Sequence, residues 1–258
     1  MIIHVKAEIV TNKGKFRIHN EENFLLNDKY MELTEENKKS SKRCKVPAFL
    51  AICEGVGETR YGRKEAYYTV KALKAEKLKL EHLRTEEVIR EIDKIVRRIN
   101  DGIIDHTVLG SEIGTTLAAL FFHERRIFLI NIGNNLIYEI GEARMSPLLS
   151  AGWRDTGGKK EEEGDAPVKH IHLQYLGSSN SESLLEPEYG IIHYKPGITR
   201  YLLCTGGMAK SLSEEKMKKI IFSETKSDKI CNTLVEQALQ NGSNEDLTVM
   251  LAEVKVTA

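Results

Sequence analysis

Between residues 115 and 140 three apolar runs follow one another with almost nothing between them. Thr115 to Phe122, Arg126 to Ile132 and Asn135 to Ile140 each read as a strand. Only His123-Glu124-Arg125 and Gly133-Asn134 separate them, and breaks that short make hairpin-type turns. A chain with such a meander is committed to antiparallel sheet. Whatever else it contains must cover the two faces of that sheet.

The remaining pattern supplies the cover. Residues 2–10 read as a strand, Thr11-Asn12-Lys13-Gly14 as a turn, and Phe16 to Leu26 as a second, interrupted strand. Residues 33–46 are rich in charge and read as a solvated loop, and 47–53 as a buried strand. From Arg63 the apolar period becomes helical, through Ala66, Val70, Leu73, Leu78 and Leu80 to Leu83, a long helix over about 63–83. Thr85-Glu86-Glu87 reads as the N-cap of a second helix. Its stripe is Val88, Ile89, Ile92, Ile95, Val96 and Ile99, and Asn100-Asp101-Gly102 reads as its stop. Joined by a short link, the two should pack antiparallel. Residues 143–190 read as irregular, with a charged surface cluster from Lys159 to Asp165. His170 and His172 alternate with Ile171, a pattern that fits a surface strand better than a metal site. Ile191–Tyr194 and Arg200–Cys204 flank Pro196-Gly197 and read as a hairpin. Helices at about 213–222 and 227–240 follow, and Leu247 to Val256 closes the chain as a strand. With no repeat and no linker, residues 1–258 are expected to form a single α+β domain. Two packed, mainly antiparallel sheets would be flanked by helix pairs.

Lys plus Arg and Asp plus Glu both number 38, which argues against a nucleic-acid partner held by bulk charge. No apolar run approaches the roughly 20 residues of a membrane helix. The start lacks the charge-then-apolar pattern of a signal peptide, so a cytoplasmic location is expected. The four cysteines are scattered, without zinc spacing. The stretch most suggestive of chemistry is Ala48 to Glu58, an apolar run that ends in Glu54 and turns through Gly55 and Gly57. A buried strand ending this way delivers a carboxylate to the rim of a sheet.

Six motifs in order resemble those of the type-2C, metal-dependent protein phosphatases in their compact bacterial form, from about residue 8 to 255. Arg17-Ile18-His19-Asn20-Glu21-Glu22 resembles the family's Arg-x-x-Asn-Glu-Asp, and Glu54-Gly55-Val56-Gly57-Glu58 its Asp-Gly-x-Gly-Gly. Gly114-Thr115-Thr116 matches Gly-Thr-Thr, and Asn131 to Asn135 is similar to Asn-Val-Gly-Asp-Ser. Pro196-Gly197 followed by Leu202-Leu203-Cys204-Thr205-Gly206-Gly207 is similar to Pro-Gly-Asp and Leu-Leu-Cys-Ser-Asp-Gly. Gly242 to Val249 resembles Gly-Ser-x-Asp-Asn-Ile-Thr-Val.

The resemblance implies two Mg²⁺ or Mn²⁺ ions about 3.5–4 Å apart that activate water for in-line attack on a phosphoester. It implies metal ligation around Glu22, Glu54, Gly55 and Glu245, with Glu21 and Asp246 as lesser candidates, and a phosphate grip at Arg17. The departures are as marked as the likeness. Glu22, Glu54 and Glu245 stand where the family has Asp, Asp246 replaces its Asn, and Leu136 its Arg. Two family metal positions are lost, at Gly206 and at Asn134. A Glu adds a methylene and a rotamer, and Mg²⁺ demands near-ideal octahedral geometry at about 2.0–2.1 Å. Asp246 or Glu58 is available to shift in for the acid absent at 206.

Two readings follow. One is a pseudophosphatase or regulatory module that binds a phosphorylated protein or signalling partner, with weak or absent binding of Mn²⁺ or Mg²⁺. The other is an active Mn²⁺- or Mg²⁺-dependent serine/threonine phosphatase with a Glu-based site. Segment 143–190 corresponds to the family's variable flap.

Overall fold

The computed structural model describes residues 1–57, 61–107, 113–149, 153–155, 171–178 and 185–257. Among these, the strands make two large sheets and one small ribbon, and every pairing is antiparallel. The first sheet has the order β3-β1-β14-β13-β8-β9. Its strands are β1 (Ile2–Asn12), β3 (Lys38–Cys44), β8 (Leu136–Ile140), β9 (Met145–Pro147), β13 (Gly197–Cys204) and β14 (Leu247–Thr257). The second has the order β12-β7-β6-β4-β2, with β5 paired to β4. It contains β2 (Glu22–Leu26), β4 (Ala48–Val56), β5 (Gly114–Thr115), β6 (Leu117–Phe122), β7 (Arg126–Ile132) and β12 (Glu188–His193). The ribbon is β10 (Trp153–Asp155) with β11 (Ile171–Leu173). The helices are α1 (Tyr61–Glu81), α2 (Thr85–His106), α3 (Gly206–Ser211), α4 (Glu214–Ser223) and α5 (Ser227–Gln240).

The layer order follows from the strand period of two. Ala48, Leu50 and Ile52 of β4 enter the core between the sheets. Phe49, Ala51 and Cys53, one residue out of phase, pack under α1 and α2. β6 repeats the split, with Leu120 and Phe122 inward and Leu117 and Phe121 toward the helices. In the first sheet Leu203, Met250 and Ala252 face the shared core, while Leu202, Val249 and Leu251 face α3, α4 and α5. Strands covered on both faces read as continuous apolar runs for this reason. The four-layer α+β sandwich expected from the pattern is the architecture found.

Several boundaries differ from the expectation, each for a local reason. The loop expected over 33–46 contains β3, an edge strand that hydrogen-bonds along β1 from Lys38 to Cys44. Edge strands meet water, so charged residues there carry no apolar signal. The strand expected from Phe16 shrinks to β2, because residues before Glu22 form a pinned turn. α2 does not stop at Gly102 but continues to His106, burying Ile103 against the sheet. Asn100 there is not a breaker; its Oδ1 accepts from the Gly177 amide at 2.9 Å. The cap of α2 is Arg84 rather than Thr85, with Glu87 accepting from the Arg84 amide. The expected hairpin of 191–194 with 200–204 does not form. β12 pairs with β7 while β13 pairs with β14 and β8, so the Pro196-Gly197 link crosses from one sheet to the other. The segment 143–190 holds β9, β10, β11 and the start of β12. The Lys159–Asp165 cluster, His170 and Glu58 lie outside the described residues.

Candidate functional site

The rim of the sandwich is built around the end of β4. The Glu54 carbonyl accepts from the Thr116 amide at 2.8 Å and from Thr115 Oγ1 at 3.0 Å. Thr116 Oγ1 in turn accepts from the Glu54 amide at 3.1 Å. The next residue must be glycine: a Cβ on Gly55 would stand 2.4 Å from the carbonyl carbon of Gly62 and 2.8 Å from the Glu21 oxygen. That closeness lets the Gly55 amide donate to the Glu21 carbonyl at 3.0 Å. The Gly-Thr-Thr and Glu-Gly motifs therefore work as one clamp on the backbone that carries Glu54.

The register of β2 on β4 sets Glu22 directly opposite Glu54. Directly opposed residues share a face, so the two carboxylates face a common space. Glu22 is 1% exposed, and neither of its carboxylate oxygens has a hydrogen-bond donor in ordinary geometry among the described residues. The nearby hydroxyls have other partners as well, Thr248 with Thr11 at 2.7 Å and Thr205 with the Thr248 carbonyl at 3.4 Å. Burial, then repulsion from Glu54 and Asp246, pushes the Glu22 carboxyl well above the usual range, against a smaller pull from Thr248 and Thr205. Burial also pushes Glu54 up, to about 6, against the Gly206 amide and Lys210.

Two of the sequence departures turn out to be one. Gly206 opens α3 and its amide donates to Glu54 Oε2 at 3.1 Å. A Cβ at this position would stand 2.2 Å from Asn134 Nδ2 and 2.8 Å from its Cγ. The buried Asn134 side chain thus fills the space that any side chain on residue 206 would need.

The closing motif is spent on internal partners. Asp246 Oδ1 accepts from the Gly14 amide at 2.8 Å and Oδ2 from the Glu21 amide at 2.9 Å. This carboxylate ties the turn after β1 to the loop before β14, and both of its oxygens are used. Burial raises its pKa, the Glu21 and Gly14 amides opposing. Asp246→Ala is expected to cost about 2 kcal/mol or more by leaving two amides without acceptors, read as a lower urea midpoint with unchanged m. Glu245 is held from both sides, by Arg17 Nη2 at 2.7 Å on one oxygen and by Lys210 Nζ at 3.2 Å on the other. Burial alone would raise its pKa, but Arg17 and Lys210 together hold it below the usual range. Arg17 Nη1 also lies 3.6 Å from Glu21 Oε2. Nothing in the sequence pattern singled out Lys210; its only signal is a spacing of four from Gly206, one turn of a helix that two glycines concealed.

A pair of divalent ions does not suit these side chains as they stand. Asp246 is turned to two amides, Glu245 is neutralised by two cations, and residue 206 offers no oxygen ligand from a side chain. Among the described residues, no group of three His, Cys, Asp or Glu side chains could hold a metal ion. What remains open is the Glu22–Glu54 pair, with its orphaned buried carboxylate.

No protein-family model matches the chain. Its likeness is to bacterial serine/threonine phosphatases. It is 26% identical over 257 residues to the serine/threonine phosphatase stp of Listeria innocua, covering 96% of this chain and 95% of that one. It is 24% identical over 218 residues to the serine/threonine protein phosphatase PstP of Mycobacterium tuberculosis, covering 80% of this chain but 40% of that one. Among solved structures, the catalytic domain of PstP in complex with two manganese ions matches with a TM-score of 0.73 at 20% identity, covering 98% of this chain and 100% of the other. The S. agalactiae serine/threonine phosphatase matches with a TM-score of 0.75 at 19% identity, over 98% of this chain and 100% of that one. The fold is that of the type-2C phosphatases, and the chain resembles their compact bacterial form along nearly its whole length.

Proposed function

We propose that this chain is a phosphatase-like protein with a degenerate two-metal site, and that it binds phosphorylated protein segments or a signalling partner instead of hydrolysing them. The observation that carries the reading is Glu245 clasped between Arg17 and Lys210. Where the resemblance calls for a metal-binding acid, the chain supplies its own cations. The Asn134 side chain packed over Gly206 supports the same reading, because the place of a second acid is filled. In this proposal residues 1–258 act as one domain in the cytoplasm. No helix among the described residues is long and apolar enough to cross a membrane.

A second reading has its own observation. Glu22 is buried without a donor beside Glu54, and a divalent cation would satisfy both carboxylates. With Mn²⁺ or Mg²⁺ held there by Glu22, Glu54 and the Gly55 backbone, the chain would be an active phosphatase with a Glu-based site. The metal would supply an activated water, and Arg17 would orient the phosphate.

Titration calorimetry and an aryl phosphate assay separate the two. The expected result is no micromolar Mn²⁺ isotherm and no Mn²⁺-dependent hydrolysis of p-nitrophenyl phosphate above buffer. A clear micromolar isotherm, with turnover abolished by Glu54→Ala, would establish the second reading instead.

A further inference from the structure

The helices leave part of the first sheet's outer face open. Val10, Leu202, Val249 and Leu251 lie beneath α3, α4 and α5. Further along the strands, Arg200, Glu253, Lys6 and Arg43 stand side by side across β13, β14, β1 and β3. Arg200 Nη2 there donates to the Thr225 carbonyl, in the link between α4 and α5, at 3.0 Å. Beyond it comes a row of Ile198, Lys255 and His4. His4, Lys6, Arg43, Ile198 and Lys255 are all exposed. From His4 to Asn12, where the rim begins, β1 runs roughly 25 Å. The charges on this open face do not balance. Glu253 is taken by Arg200 Nε at 3.0 Å, and Glu8 by Lys6 Nζ at 2.9 Å. Lys6 directly opposes Arg43, an arrangement of like charges that costs stability. Arg43, Lys45 and Lys255 have no acid partner among the described residues. Lysines on an edge strand keep foreign strands away, which accounts for those of β3. It does not account for Lys255, because β14 lies between β1 and β13 in the interior of the sheet.

We infer that this open end of the sheet is a docking groove for an acidic, extended protein segment, whose carboxylates meet Lys255 on one side and Arg43 and Lys45 on the other. The concavity is already present. A depression of about 460 Å³ is lined by His4, Lys6, Arg43, Lys45, Glu253 and Lys255. A second, of about 680 Å³, shares His4 and Lys45 and runs on past Val46 to Arg125. The two share a wall and form a groove. Its span decides between a compact anion and a chain. β14 and β3 flank β1, so their cations stand two strand spacings apart, about 10 Å. In the polyproline-II conformation common in unfolded chains, residues three apart share a face and lie about 9 Å from each other. Acids at that spacing reach both sides of the groove at once, whereas adjacent acids point to different faces. Complementary charge of this kind sets partner choice and encounter rate. The groove is far from the rim, and the inference does not depend on whether the rim is catalytic.

The test uses fluorescence anisotropy in EDTA with two labelled peptides of one composition. One repeats Asp-Gly-Ser three times, and the other holds the same residues with its three Asp contiguous. The expected result is tighter binding of the spaced peptide, by about tenfold, the scale of two exposed ion pairs. Arg43→Gln/Lys255→Gln should remove that preference with Tm unchanged, since neither side chain has a partner to lose. Arg17→Ala, at the rim, should leave it intact. Failure of the spaced peptide to bind, equal affinity for both peptides, or a preference that survives the double substitution would overturn the inference. So would loss of the preference in Arg17→Ala, which would place the peptide at the rim. Tripolyphosphate, single-stranded DNA or phosphatidylserine vesicles binding through Arg43 and Lys255 more tightly than the spaced peptide would overturn it in favour of that ligand.

Discussion

Gly206→Asp alone is expected to destabilise the protein by about 1–3 kcal/mol and to confer no Mn²⁺ binding, although it restores the residue that the resemblance calls for. The obstacle is steric and local: the new Cβ would fall 2.2 Å from Asn134 Nδ2. Asn134 is only 6% exposed, so its side chain has little room to swing aside. The new carboxylate would also stand beside Glu54, whose pKa burial already raises. Combining Gly206→Asp with Asn134→Ala should recover most of the steric loss, giving a coupling of about 1 kcal/mol or more in a double-mutant cycle. The double variant alone should gain stability from Mn²⁺, seen as a Tm that climbs with metal concentration. Equal destabilisation by Gly206→Asp with and without Asn134 would show that the amide is not what fills the space.

Glu22→Gln is expected to stabilise the protein at neutral and alkaline pH by about 1–3 kcal/mol, the scale of a buried polar group without a partner. The pH profile gives the sign. A carboxyl raised in the folded state keeps its proton where the unfolded chain, with an ordinary value of 4.5, has lost it. Stability contributed by that proton is full below about 4.5 and drains as pH rises through the folded value. Glu54 follows the same sign over the window from 4.5 to about 6, and Glu22 continues the loss to higher pH. Urea midpoints of wild type and Glu22→Gln should therefore converge near pH 4 and separate by pH 8. A variant less stable than wild type at pH 8 would mean that Glu22 is ionised and satisfied, as a resident cation would make it. Repeating the series with EDTA and with Mn²⁺ identifies that case.

Most of the fold was legible because most of the sheet is covered on both faces. β4, β6 and β7 announce themselves as unbroken apolar runs, and α2 by a helical stripe that carries past its apparent stop. What failed to register was structure held by backbone bonds at a wet edge, as in β3, or concealed by glycine, as in α3. The crossing from β12 to β13 was read as a hairpin because a Pro-Gly link looks alike whether the chain returns to the same sheet or passes to the other. That Glu22, Glu54 and Gly206 meet at one rim was legible. The apolar run ending at Glu54 marked the rim, and the motif order brought Glu22 and Gly206 to it. Its chemistry was less so. An Asp next to a Glu offers no hint in sequence that one carboxylate serves two amides and the other two cations, and nothing in it shows that Asn134 approaches residue 206 so closely.

The pairing of β1 with β14 runs through eleven register pairs, from Ile2 with Thr257 to Asn12 with Leu247. β14 also lies between β1 and β13, in the interior of its sheet. β1 therefore waits for residues about 245 positions later before its inner edge is satisfied, a separation that slows folding through the cost of closing so long a loop. The same event brings Asp246 to the turn at Gly14 and Glu21, and Glu245 to Arg17. The rim around Asp246 and Glu245 is therefore completed only with β14, and a chain that stops short of it carries the helices and the meander without those contacts.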